Sequence, residues 1–184
     1  MPVSMTQEDL RVNMRSLWDE HVGYTHSYIV SAVANMPDAD VIAQRLLRNQ
    51  DDIGNAIVPF YGKEAGAKLT SLLREHIMIA SDIVKYAKMN NKTEMTSAQN
   101  KWSTNAEQIA TFLSGANPNW SKKDCADMLN QHLGYVADQL TARLNKQWSN
   151  DIKTYDQGHQ HMMMFADFLS DGIAKQFPSM MAKE

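Results

Sequence analysis

Residues 72–82 read LLREHIMIASD, and the spacing inside this stretch decides the fold. Leu72 and Leu73 stand one turn before His76, and Ile79 and Ala80 one turn after it, at the three- and four-residue intervals that share one helix face. An imidazole thus stands in an apolar seam. The arrangement recurs in LWDEHVGYT around His21, MLNQHLGYVAD around His132 and HQHMMMFAD around His161. Leu17, Trp18 and Tyr24 flank His21, and Met128, Leu129 and Tyr135 flank His132, again at helical spacing.

Working outward, Thr6 with Asp9 forms a capping-box variant that predicts a helix over about 7–35, ended by Pro37. Asp38 is expected to cap a second helix, 38–58, which Gly54 bends and Pro59 ends. PFYGK then reads as a turn, followed by a helix over 63–89 and, past the polar run Asn90, Asn91, Lys92, another over 94–114. After the turn GANPNWS, Ser121 and Asp124 open a helix over 121–146, and a short break near Trp148 and Ser149 precedes the last, 150–176. Pro178 closes the structure, and the tail SMMAKE is expected to fray. Alternating β-branched runs and Asn-Gly or Asp-Gly hairpins are missing. The fold class is all-α: one domain over 1–184, a six-helix up-and-down antiparallel bundle of four long helices and two shorter ones.

The balance of 18 basic and 21 acidic residues, net charge −3, carries no basic stripe, which argues against a nucleic-acid partner. No run approaches the ~18 apolar residues of a membrane span, and the N-terminal residues are too polar for a signal peptide. The single cysteine, Cys125, fits a reducing compartment, so a cytoplasmic location is expected.

The four long helices have their midpoints near 21, 76, 133.5 and 163, beside His21, His76, His132 and His161. In an up-and-down bundle, midpoints lie at one height whichever way each helix runs, so four histidines are expected in one layer. The shorter helices centre near 48 and 104 and add Asn49 and Asn105. A shift of 56 residues carries Asn49 to Asn105, Ile53 to Ile109, Leu73 to Leu129, His76 to His132 and Asp82 to Asp138, and a shift of 55 carries His21 to His76. That pattern suggests a repeat whose unit is a helix pair.

Four readings of the layer stand side by side. The first is a metal site, since imidazole is the commonest metal ligand and zinc, iron or copper each accept several. Tyr24, Tyr135 or Asp52 are candidate oxygen ligands. The second is a haem held by two of the histidines; covalent attachment is excluded because CxxCH does not occur. The third is a buried hydrogen-bond network of the histidines with Tyr24, Tyr135, Asn49 and Asn105. The fourth is a small-molecule pocket or enzyme site using the same groups. Cys125 and Met164 fall on the stripes and read as core. His26 and His159 fall off them and read as surface, while Asp82, Asp138 and Asp167, six residues past a histidine, face elsewhere.

With LWDEHVGYT, RLLRNQDDIGNAIVPFYG, ANPNWS and MFADFLSDGIAKQFP in view, the chain resembles, end to end, an uncharacterised family of small bacterial helical proteins. The resemblance implies a shared helical fold. Enzyme names attached to such proteins, a glycosyltransferase or an acetylglutamate kinase, have no counterpart here, because no nucleotide-binding α/β pattern is present. More distantly the arrangement resembles ferritin-like and haemerythrin-like bundles, though it lacks the Glu-x-x-His of the di-iron sites.

Overall fold

A computed structural model describes residues 5–182. The described residues are helical with no strand, in five α-helices: α1 (Gln7–Val33), α2 (Ala39–Lys88), α3 (Lys92–Ala116), α4 (Lys122–Leu144) and α5 (Trp148–Gln176), followed by a 3-10 turn at Pro178–Met180. Six helices were expected; the two read over 38–58 and 63–89 meet at a single non-helical residue and are counted as one element, with two limbs. Pro59 does not end the first of them; it lies inside that limb's last turn, which continues to Tyr61 at the loss of one backbone hydrogen bond. The break comes at Gly62, whose φ of 85° and ψ of 170° suit a residue without Cβ.

Gly62 folds α2 back on itself, and its limbs, 39–61 and 63–88, touch backbone to backbone. A Cβ on Gly54 would lie 1.8 Å from Thr70 Oγ1 and 2.7 Å from the Gly66 carbonyl oxygen. Further out, Arg74 donates to Asp51 at 2.9 Å, joining residues on either side of the bend.

The caps explain the other boundaries. Thr6 Oγ1 accepts from Asp9 N at 3.0 Å, and Asp9 accepts from Thr6 N at 2.9 Å, the reciprocal box expected. Ser121 accepts from Asp124 N at 3.0 Å. Asp38 occupies the cap position of α2, but its side chain makes no capping bond there, contrary to expectation.

The break expected near Trp148 falls slightly earlier, and its geometry occurs three times. Asn35, Asn90 and Lys146 have φ of 55°, 53° and 56°. In each case the next residue's N–H reaches back five residues: Met36 to Ser31 O, Asn91 to Tyr86 O, Gln147 to Ala142 O, at 2.8, 2.9 and 2.8 Å. This is the Schellman end, which Asn tolerates well. It generates three hairpins: α1 with the first limb of α2, the second limb with α3, and α4 with α5.

The chain closes as α1 meets α5. Arg11–Asp171 at 2.7 Å, Arg15–Asp167 at 2.6 Å, Asp19–His159 at 2.6 Å and His26–Asp151 at 3.0 Å pair rising numbers with falling ones, so these helices are antiparallel. Inside, Leu10, Met14, Trp18, Phe165 and Ile173 fill one end of the core, and Ile29, Ile83, Val84 and Leu140 the other. The tail is tied down as far as Ala182, whose N–H donates to Met5 O at 2.9 Å. No helix among the described residues is long and apolar enough to cross a membrane.

Candidate metal centre

Between the two ends of the core lies the histidine layer. His21 from α1, His76 from the second limb of α2 and His132 from α4 are 1%, 3% and 2% exposed. One ring nitrogen of each lies within 4.8 Å of the other two, and His21 Nε2 and His132 Nε2 are 3.4 Å apart. Two nitrogens bound at ~2.05 Å to one tetrahedral ion sit about 3.3 Å apart. The His21–His132 separation therefore matches one edge of such a site.

Buried amides fix the ring orientations. Asn105 donates its NH2 to Leu72 O at 3.0 Å and Glu75 at 3.4 Å, so its Oδ1, 3.2 Å from His76 Nδ1, is an acceptor. Gln50 donates to Leu46 O at 2.8 Å and Asn49 Oδ1 at 3.1 Å, leaving its Oε1 to accept from His21 Nδ1 at 3.2 Å. Both imidazoles therefore carry their proton on Nδ1 and turn an Nε2 lone pair inward, the outer-shell support that metal-binding histidines receive. Trp102 packs against His76, ring centres 5.1 Å apart and planes tilted by 32°, and donates Nε1–H to its carbonyl oxygen at 3.1 Å.

All three imidazoles are neutral near pH 7. Burial pushes His21 down to about 4, and burial with the neighbouring His21 pushes His76 down to about 3. His132 is held well below the ordinary range by burial first and then by His21, His76 and His161. Neutral imidazole is the form that can offer a lone pair to a cation. Between His21 and His132 the contact needs a proton or an ion: with His21 protonated at Nδ1, either His132 Nε2–H donates across the 3.4 Å or a cation sits between the two.

His161, expected as the fourth member, is buried but stands outside this group. Its Nε2 lies 2.7 Å from Met128 O, where it must donate. Asn49 and Asn105 do the same work in the other hairpins, bonding Leu17 O and Leu72 O, both at 3.0 Å. Each of these carbonyls lies four residues before a layer histidine. Tyr24 and Tyr135, expected beside the layer, are partly exposed: Arg45 covers the Tyr24 ring at 4.6 Å, and Tyr135 OH accepts from Gln131 at 3.0 Å. Neither lines the cavity that the three imidazoles share.

Two minor readings are corrected as well. Met164 is 53% exposed, and Met162, fully buried, takes the core position. His26 is not a free surface residue; it bonds both oxygens of the fully buried Asp151, at 3.0 and 3.1 Å, and Arg143 reaches the same carboxylate at 3.2 Å. Cys125 is core as expected, its thiol pushed up to about 11 by burial and so protonated. Gln50 and Trp102 were missed because neither has a counterpart of its own kind one shift away, where Ala106 and Gly158 stand.

The chain's own hairpins can be compared with one another. His21, His76 and His132 each stand 14 residues before the left-handed turn residue, Asn35, Asn90 and Lys146. With the hairpins aligned on these turns, that histidine is the single position identical in all three. No family model, curated protein or solved structure matches the chain.

Proposed function

We propose that the protein binds one metal ion per chain through His21, His76 and His132, in a site assembled from one histidine of each helical hairpin. The observation that carries the reading is the convergence of three buried neutral imidazoles, two of them oriented by Gln50 and Asn105, with a 3.4 Å edge matching a tetrahedral ion. The donor set suits zinc, copper or iron. A metal ion is favoured over haem because the shared cavity measures about 30 Å3, far too small for a macrocycle. Cys125, buried and protonated, suits the reducing cytoplasm where we place the protein.

A second reading has its own support. The His132–His21 contact, continued through Gln50 and Asn49 to Glu20, forms an unbroken hydrogen-bonded chain, which could serve only to set helix register. Titration of chelator-treated protein with zinc, copper or iron salts separates the two. Metal binding predicts one equivalent taken up, abolished in His132→Ala while helicity persists. No uptake of any of the three leaves the network reading in place.

A further inference from the structure

On the side of the layer facing the hairpin turns, the three imidazoles open into the cavity of about 30 Å3. Room for one water takes about 10–15 Å3 in this measure, so two or three small atoms fit. Ile29, Val84 and Leu140, each eight residues beyond its histidine, form the far wall. Leu46, Ala80 and Trp102 form much of the sides. Its two hydroxyls are already committed, Thr25 to His21 O at 2.6 Å and Tyr28 to Ser81 at 2.7 Å. No carboxylate lines it. An anion placed there would meet hydrocarbon, and a dry apolar cavity favours small uncharged guests. The same lack of negative charge favours the lower oxidation state of a redox metal in the layer, Fe(II) over Fe(III) and Cu(I) over Cu(II), because uncompensated charge is expensive to bury.

One side of the chamber adjoins a second crevice, which shares Thr25, His132 and Val136 with it. Leu46 and Trp102 stand three residues before Asn49 and Asn105 and wall it in; the residue three before His161 is Gly158. Beside Gly158 a crevice of about 10 Å3 runs between His132 and the partly exposed Tyr155 and His159.

Resting on the metal reading above, we propose that the centre is a reduced one, ferrous or cuprous, whose open position faces this chamber and takes a neutral diatomic molecule, the class of dioxygen, nitric oxide and carbon monoxide. Such a ligand needs no hydrogen-bond donor and fits the volume. The probe is carbon monoxide, added anaerobically to protein loaded with Fe(II) or with Cu(I) and read by its infrared stretch. One bound molecule per metal is expected. Ala80→Val and Ala80→Ile fill the chamber from a position whose equivalents, Thr25 and Val136, are already β-branched. These variants are expected to keep their metal and their helicity and to weaken carbon monoxide binding at least tenfold. Metal-loaded protein without a carbon monoxide band, variants that bind it as the parent does, or a chain that holds zinc but neither reduced ion would each overturn this inference and leave the metal site standing. Failure to hold any metal overturns both.

Discussion

Acidifying the metal-free protein from about pH 7.5 to about pH 4.5 should remove about 5 kcal/mol of folding stability through His21 and His76 alone. Folded, their midpoints lie near 4 and 3. Unfolded, both return to about 6.5. Within that window the unfolded chain binds more protons than the folded one, so stability is complete above about 6.5 and falls as pH drops towards the folded values. Each histidine contributes a slope of up to about 1.4 kcal/mol per pH unit, and His132, lowered in the same direction, adds to it. The loss is comparable to the whole stability of a typical domain, about 5–15 kcal/mol. Carboxylates do not mimic it: Asp9 and Asp167 are lowered from 3.8 by their hydrogen-bond partners Thr6 and Arg15, so their contribution disappears only below this window. Urea unfolding followed by circular dichroism at half-unit pH steps gives the slope, and His76→Gln should reduce it by one histidine's worth whatever it does to stability at neutral pH. A midpoint that stays flat from pH 7 to 4.5, or an unchanged slope in the variant, would refute the claim that the layer is buried and neutral.

Asn105→Leu should strip His76 Nδ1 and Leu72 O of their buried partner, costing about 2–4 kcal/mol in chemical unfolding and weakening metal affinity 10- to 100-fold in a chelator competition. Gly54→Ala and Gly62→Ala should differ in kind. The first drives a methyl into Thr70 and the Gly66 backbone and should lower stability by about 3 kcal/mol or more, whereas the second meets nothing within 4 Å and costs only its backbone strain, about 1–3 kcal/mol. A thermal melt ranking Gly62→Ala as the worse of the two would contradict the hairpin packing. Asp151→Ala should cost about 3–5 kcal/mol, because Arg143 and His26 lose the fully buried carboxylate they share, and metal uptake by the surviving folded protein should be unchanged.

The helices were legible because their signals are local. The Thr6–Asp9 box and the apolar spacing around each histidine set α1, α4 and α5 to within a few residues. Around Gly62 the reversal over PFYGK was legible, but its extent was not: a single residue of positive φ accomplishes it, so the helical limbs run up to Gly62 on both sides and Pro59 lies inside the first. Which layer histidines meet was not legible, since equal height says nothing about azimuth. His161 shares the height, but its ring faces along α4 to the Met128 carbonyl. Lys146 hid the third turn, because a lysine does not advertise a left-handed conformation as Asn35 and Asn90 do. Met164 was misplaced for a simpler reason: within Met162, Met163 and Met164 the choice of inward residue depends on a rotation of α5 that only packing decides.

The central claim, one ion held by one histidine from each hairpin, is tested most directly by crystals grown from metal-loaded protein and diffracted on both sides of that metal's absorption edge. The account predicts a single anomalous peak about 2.0–2.2 Å from Nε2 of His21, His76 and His132, with His161 still bonded to Met128 O. A peak at the exposed His159–Asp19 pair, or fully loaded crystals with no peak in the layer, would contradict it.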